Sequence, residues 1–448
     1  MDRRQLLRSL VAGIAAGSTS VVRIVAASQS ASGRDRPLRS PGGDVDWRAV
    51  RDLFSLAEDW VHLASFLLAS HPRPVAEAIE QFRRRIDADP FWIELAALSD
   101  AEGRPFQAVK RALADYIGGD WREICLTSNT THALALAYHG LRIRRDQEIV
   151  TTAHDHYSHH ESIRYAALRS GCRVRYVALY DAPATARAGQ IVERLARAIG
   201  PKTRAVGVTW VHSSTGVKIP IEAIAEAVAR ANRGRAAADR CLLTVDGVHG
   251  LGNQDVDAAR LGCDFFAAGT HKWLFAPRGT GFLWGREASW PELRPTIPSF
   301  DPDALATWEA WMERGPLPPT TASFVSPGGF LAYEYLFAIP AAVQLHRTIG
   351  RDRIAARIAE LNAAFRDGAA RLPGVTLHTP RDPELSGGIS CFEVAGLAAE
   401  RVTERLAERR IRTSHSPYQT SYPRVAAGIM NTPDDVEAVL QAIRALRA

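Results

Sequence analysis

Five times along the chain an apolar stretch of strand length ends in a polar cluster, and helical patterns intervene. Glu123–Leu126 ends in Thr127-Ser128-Asn129-Thr130-Thr131, and Glu148–Thr152 leads to His154-Asp155-His156-Tyr157-Ser158-His159-His160. Ala205–Val211 ends in His212-Ser213-Ser214-Thr215-Gly216, and Cys241–Val245 in Asp246-Gly247-Val248-His249. Phe265–Ala268 ends in Gly269-Thr270-His271-Lys272. Helical spacing over His132–Leu141, Gln190–Ile199 and Ile221–Asn232, with a further strand over Cys172–Val177, completes the alternation. Strand, polar end and helix in repetition predict an α/β fold with a mostly parallel sheet. Ligands of such sheets bind outside the carboxyl ends of the strands. The clusters all lie at such ends, so the pattern predicts one shared site.

Two members of these clusters constrain the chemistry. Lys272 closes a buried strand, where an ammonium is expensive to bury. Desolvation turns such a lysine into a nucleophile able to form a Schiff base with an aldehyde. Asp246 closes another apolar strand, and a buried acid there wants a cationic partner, for which a pyridinium nitrogen is a candidate. An aspartate followed by a strand-end lysine is what a pyridoxal phosphate site requires. The hydroxyl-rich turn Thr127–Thr131 opens a helix, where free N–H groups and the helix dipole favour an anion such as the cofactor phosphate. The His-rich run could suggest a metal through His156 and His160, but no H-E-x-x-H is present and the nearby acids are not at ligand spacing. A histidine stacking on a flat cofactor ring fits that loop better, and no metal is expected.

The chain of 448 residues is long for one core, which predicts a large and a smaller domain. A net charge of +6 comes from scattered arginines without interleaved aromatics, so nucleic-acid binding is not expected. The five cysteines form no C-x-x-C pair and read as small buried hydrophobes. Residues 1–27 begin Met1-Asp2-Arg3-Arg4-Gln5-Leu6-Leu7-Arg8 and continue weakly apolar to Val25-Ala26-Ala27. This matches a twin-arginine export signal, too short and polar for a stable membrane anchor, and predicts a periplasmic or exported protein. Residues 28–45 read as a flexible linker, 46–105 as an N-terminal segment, 106–330 as the large domain and 331–448 as a smaller α+β domain. The irregular segment 285–329 carries Trp290, Trp308 and Trp311 and reads as a pocket wall or an interface excursion.

Together these pieces resemble the class V aminotransferase-like group of fold-type-I pyridoxal-phosphate enzymes. That group includes cysteine desulfurases, isopenicillin N epimerase-like proteins and C–S lyases. The resemblance runs from about Val61 to Leu446. It implies pyridoxal 5'-phosphate as cofactor, with Lys272 as the Schiff-base lysine and base, and Asp246 on the pyridine nitrogen. It further implies His156 stacking on the ring, and His249 near the ring hydroxyl. Thr130, Thr131, Thr270 and His271 would bind the phosphate. Ser213 stands where many members have an asparagine at the ring hydroxyl. Arg278-Gly279-Thr280-Gly281 resembles the turn that reaches the neighbouring subunit's phosphate, which implies a homodimer and includes Thr280 in the cofactor site. That turn reads as leading into an outer strand. Arg424 resembles the arginine that holds the substrate carboxylate.

Some positions depart from the pattern. Ala64-Ser65 replace the usual asparagines, and Ser323–Gly329 replaces a typical Arg-Phe-Glu-x-Gly-Thr-Pro segment. No cysteine lies between Arg412 and Arg424, which argues against cysteine desulfurase. The expectation is an aminotransferase acting on a small-molecule or peptide amine, such as a secondary metabolite or siderophore-like peptide. An epimerase or a C–S lyase is the alternative, and a non-catalytic binding protein is disfavoured by the Asp246–Lys272 pair.

Overall fold

The computed structural model describes residues 37–446 apart from 41, 94–104, 302–303, 305–311 and 313–314. The expected signal segment 1–27 lies outside the described residues, as do Trp308 and Trp311. The strands are β1 (Val61–His62), β2 (Ile124–Thr127), β3 (Glu148–Thr152), β4 (Arg173–Val177), β5 (Thr203–Thr209), β6 (Leu242–Asp246), β7 (Phe265–Gly269), β8 (Gly281–Gly285), β9 (Val375–Leu377), β10 (Ser390–Val394), β11 (Ile411–Arg412), β12 (Ser414–His415) and β13 (Pro423–Val425).

Seven strands form one sheet in the order β2-β8-β7-β6-β5-β3-β4. Only β8 runs against the others, antiparallel to both β2 and β7. β8 was expected at the outside, but it lies within the sheet. The connection 270–280 contains no helix and cannot make the crossover that a parallel neighbour needs, so the chain turns back beside β7. β2, β3, β5, β6, β7 and β8 are buried along their whole length. Both faces are covered, as runs of Val, Leu, Ile and Phe without polar alternation require. One face packs Leu113, Ile117, Ile191, Leu195, Ile224 and Val228 from three helices. The other packs Leu134, Ala137, Ile163 and Ala166 from the helices Thr130–Gly140 and Tyr157–Ser170. β4 is the exposed edge, and its Arg173 and Arg175 discourage further strand pairing.

The smaller sheet is antiparallel in the order β12-β13-β10-β9. The helices Arg351–Ala369, Ala399–Glu408 and Pro433–Arg444 cover it through Phe365, Val402, Leu406 and Val439. Two helices, Tyr333–Leu336 and Ile339–Ile349, lead into this region, with Pro340 in the first turn of the second. The N-terminal segment returns to this region: β1 pairs parallel with β11, and Ala64 bridges to Ala426. Residues 37–40 and 42–45, expected within a flexible linker, are tied down by an Arg39–Val45 bridge and by Arg39 Nη2 donating to the Ile349 carbonyl at 2.9 Å. Among the described residues no helix is long and apolar enough to cross a membrane.

Candidate active site

Because β8 is the only reversed strand, the carboxyl ends of β2, β3, β5, β6 and β7 meet along one edge of the sheet. A cavity of about 410 Å³ opens there, a size suited to a cofactor with a small substrate. Lys272, Asp246, His156, Thr130, Thr131, Ser213, His249, His271 and Arg424 all line it.

The four lysines of the chain are Lys110, Lys202, Lys218 and Lys272. Lys110 pairs with Asp301 and Lys202 with Asp146, while Lys218 donates to Gln254 Oε1. Lys272 alone among them faces the cavity. Its Nζ lies 3.2 Å from His249 Nε2. Burial drives the Lys272 pKa down, Asp246 opposes that shift and Arg424 adds to it. Asp246 is buried at the end of β6, where its side chain accepts the Val248 N–H at 3.1 Å and no other donor among the described residues. Burial raises its pKa, against the pull of that N–H and of Lys272. Burial thus draws the two pKa values together, to about 6 for Asp246 and about 8 for Lys272, and a cation brought beside Asp246 would favour the carboxylate.

Asn129 caps the helix Thr130–Gly140 by accepting from His132 N–H at 2.9 Å, which aims the first-turn N–H groups at the cavity. Thr130 Oγ1 accepts from Gly269 N–H at 2.7 Å and ties this turn to the end of β7. His271 Nδ1 is buried and finds no hydrogen-bond partner among the described residues. A Cβ on Gly269 would stand 3.1 Å from both that nitrogen and Thr130 Oγ1, so a side chain there would crowd the space between them. An orphaned imidazole nitrogen beside a helix N-terminus fits a phosphate group.

His156 caps the helix Tyr157–Ser170, its Nδ1 accepting from Ser158 N–H at 3.3 Å and lying 2.8 Å from Ser158 Oγ. Burial, helped by Lys272 and Arg424, pushes its pKa down to about 4, so the ring is a neutral flat surface. The neighbouring His160 is turned to the Thr152 carbonyl at 2.8 Å. Among the described residues no group of three or more His, Cys, Asp or Glu is placed to hold a metal ion.

Arg424, on β13, is 2% exposed. Its Nε donates to Ser414 Oγ at 3.1 Å, Nη1 to the Ser213 carbonyl at 3.0 Å and Nη2 to the His415 carbonyl at 2.9 Å. One N–H on each Nη is left over, a fork suited to a carboxylate. No carboxylate pairs with this buried cation among the described residues. The Ser213 hydroxyl is 2.7 Å from Tyr418 Oη, so it is already engaged within the chain.

Thr270 and Thr280 do not line the cavity. Both are buried, and their hydroxyls hold each other, with Thr280 Oγ1 also donating to the Pro277 carbonyl. Arg278 and Gly279 from the same turn do reach the cavity. Leu67 and Leu68, beyond β1, and Pro417 supply apolar wall that motif reading missed, because nothing in their spacing marks them. Asp155, buried one residue before His156, and Trp273, next to Lys272, were also missed; their adjacency to singled-out residues was the available signal.

The class-V aminotransferase family model matches residues 68–439. The chain is 29% identical over 414 residues to isopenicillin N epimerase of Streptomyces clavuligerus, covering 90% of this chain and 98% of that one. It is 32% identical over 242 residues to a probable cysteine desulfurase of Aeropyrum pernix, covering 53% and 55% of the two chains. Among solved structures, the cystine C–S lyase C-DES in complex with cysteine persulfide superposes with a TM-score of 0.73 at 22% identity, covering 86% of this chain and 98% of that one. The cysteine desulfurase CsdA from Escherichia coli gives a TM-score of 0.73 at 19% identity, covering 90% and 98%. The fold is that of these pyridoxal-phosphate-type enzymes, and the chain belongs to the class-V aminotransferase family.

Proposed function

We propose that the protein binds pyridoxal phosphate in this cavity and inverts configuration at the α-carbon of an amino-acid group, as an epimerase. The observation that carries this reading is a buried Arg424, with no carboxylate partner among the described residues, in the same cavity as a lysine whose pKa is lowered by burial. Arg424 would hold the α-carboxylate by its two spare N–H groups, and Lys272 would serve the α-proton on one face, while inversion has a proton arrive on the opposite face. Asp246 would pair with the ring nitrogen, His156 would lie on the ring, and His271 with the Thr130–Thr131 turn would hold the phosphate. Bound there, the cofactor supplies an electron sink for charge that develops at the α-carbon.

The relative aligned over nine-tenths of the chain is an epimerase by name, which supports inversion over the amino transfer expected from sequence. All five cysteines are buried and none lines the cavity, which speaks against a sulfur-carrying nucleophile and hence against desulfuration. Incubation in D2O with isopenicillin N and with a panel of L-amino acids is expected to place one deuterium at an inverted α-carbon. Formation of an oxo acid with conversion of the cofactor to its amine form would reject the reading in favour of transfer. Release of ammonia and pyruvate would reject it in favour of elimination. We further propose a homodimer, with light scattering giving twice the chain mass, and export through residues 1–27, with activity in the periplasmic fraction.

A further inference from the structure

Trp273 is 2% exposed and follows directly on Lys272. Its indole Nε1 donates to His249 Nδ1 at 3.4 Å. His249 is 4% exposed, packs against the Phe66 ring at 5.9 Å between centroids, and turns Nε2 towards Lys272 Nζ at 3.2 Å. An indole N–H is a donor and nothing else, so Nδ1 must present its lone pair. In a neutral imidazole the proton then sits on Nε2. We infer that Trp273 is a positioning residue that fixes His249 in the Nε2–H tautomer, so that this N–H donates to the lone pair of an uncharged Lys272 amine.

The geometry makes the alternatives costly. With an ammonium at Nζ, two donors would face each other across 3.2 Å. With the proton on Nδ1, it would face the indole N–H. Histidine in its charged form would put cations beside Lys272 and Arg424, and burial together with these two pushes the His249 pKa well down. The indole cannot easily swing away. A Cβ on Gly252 would come within 2.6 Å of the Trp273 carbonyl carbon, so the backbone there is closely packed, and the Trp273 ring contributes to a buried core. The groups facing the amine are Asp246 from β6, His249, and Arg424 from β13, with His156 and His271 also close enough to interact with it. Of these, Asp246 favours the ammonium, while the His249 donor and the Arg424 charge favour the free base.

The inference concerns the proposed site, but its test reads nitrogen shifts and acylation rather than turnover, so its failure is distinguishable from failure of the epimerase reading. The full-length protein, labelled with 15N-histidine, is measured as purified and again after any carbonyl cofactor has been stripped with hydroxylamine. His249, assigned by loss of its signals in His249→Gln, is expected to show a protonated Nε2 and an unprotonated Nδ1 in the wild type. A signal from protonated Nδ1, or from a doubly protonated ring at pH 7.5, overturns the inference without any Trp273 variant. In Trp273→Phe, with circular dichroism confirming the fold, Nδ1 loses its donor and the two tautomers are expected to mix. Acylation of Lys272 by acetic anhydride in the stripped protein is then expected to fall about threefold at neutral pH, as the amine regains its proton. Unchanged nitrogen shifts in that variant would also overturn it.

Discussion

Two buried aspartates stand near the ends of β3 and β6, the two strands that flank β5, and behave in opposite ways. Asp155, after β3, is saturated. Its Oδ2 accepts from Thr151 Oγ1 and from Thr152 N–H, each at 2.9 Å, and its Oδ1 from Thr209 N–H at 2.8 Å. Burial works to raise its pKa, yet these donors with His159 and His212 hold it well below the carboxylate range. Asp246, at the end of β6, has a single N–H donor among the described residues, and burial raises its pKa. Thr209 pairs with Asp246 across the sheet, so the two carboxylates share a strand neighbour. The saturated one anchors the His156 loop, and its charge adds to the rise at Asp246. The unsaturated one lines the cavity with acceptor capacity left over among the described residues, as the proposed ring partner would need. A deep burial alone therefore says little about a carboxylate's role; the count of its donors decides.

Asp246→Asn should break this contrast most severely. The ring partner is lost while no saturated network is disturbed, so turnover should fall on the order of 100- to 1000-fold with little change in the thermal midpoint. Equal losses of stability would make Asp246 a second structural anion. Arg424→Lys keeps a charge but loses the fork, and kcat/KM for carboxylate substrates should fall about 10- to 100-fold. A variant affected equally towards substrates without a carboxylate would refute that clamp. Asp155→Asn should show the reverse pattern. An amide offers one acceptor in place of a carboxylate, leaving a buried N–H unpaired at a cost of about 1–3 kcal/mol, read from denaturant unfolding.

The smallest effect concerns pH. His159 and His346 are buried, and their pKa values are pushed down to about 4 and about 3 by burial. In the unfolded chain each takes up a proton near 6.5. Between these values the unfolded state binds more protons, so stability should fall as pH drops from about 6.5 towards 4. Asp155 loses its contribution only below about pH 4, where an unfolded aspartate takes up its proton. A thermal midpoint that stays flat across the window would mean that these imidazoles charge within the fold.

Much of this arrangement was legible from residue order. Strand ends carry the chemistry, and apolar runs at Leu242–Val245 and Phe265–Ala268 cannot hide an acid and a lysine without a purpose. What was not legible depended on pairing between distant segments. The place of β8 inside the sheet follows from its docking between β2 and β7, which its own five residues do not encode. Thr270 and Thr280 look like phosphate ligands in sequence, and their hydrogen bond to each other across the β7–β8 turn is a contact that residue order does not reveal. The apolar wall from Leu67 and Leu68 exists because β1 pairs with β11, more than three hundred residues away. Asp155 was overlooked within a run of histidines, although its donors come from backbone that sequence reading cannot place.

Lys272 is proposed to anchor a carbonyl cofactor, and the chain suits a direct test because it holds only four lysines. The protein is purified with pyridoxal phosphate present, reduced with borohydride, digested and mapped by mass spectrometry. A phosphopyridoxyl group fixed to the peptide that contains Lys272, and absent from those of Lys110, Lys202 and Lys218, is the predicted result. No adduct, or an adduct that persists on another lysine in Lys272→Ala, would contradict the account.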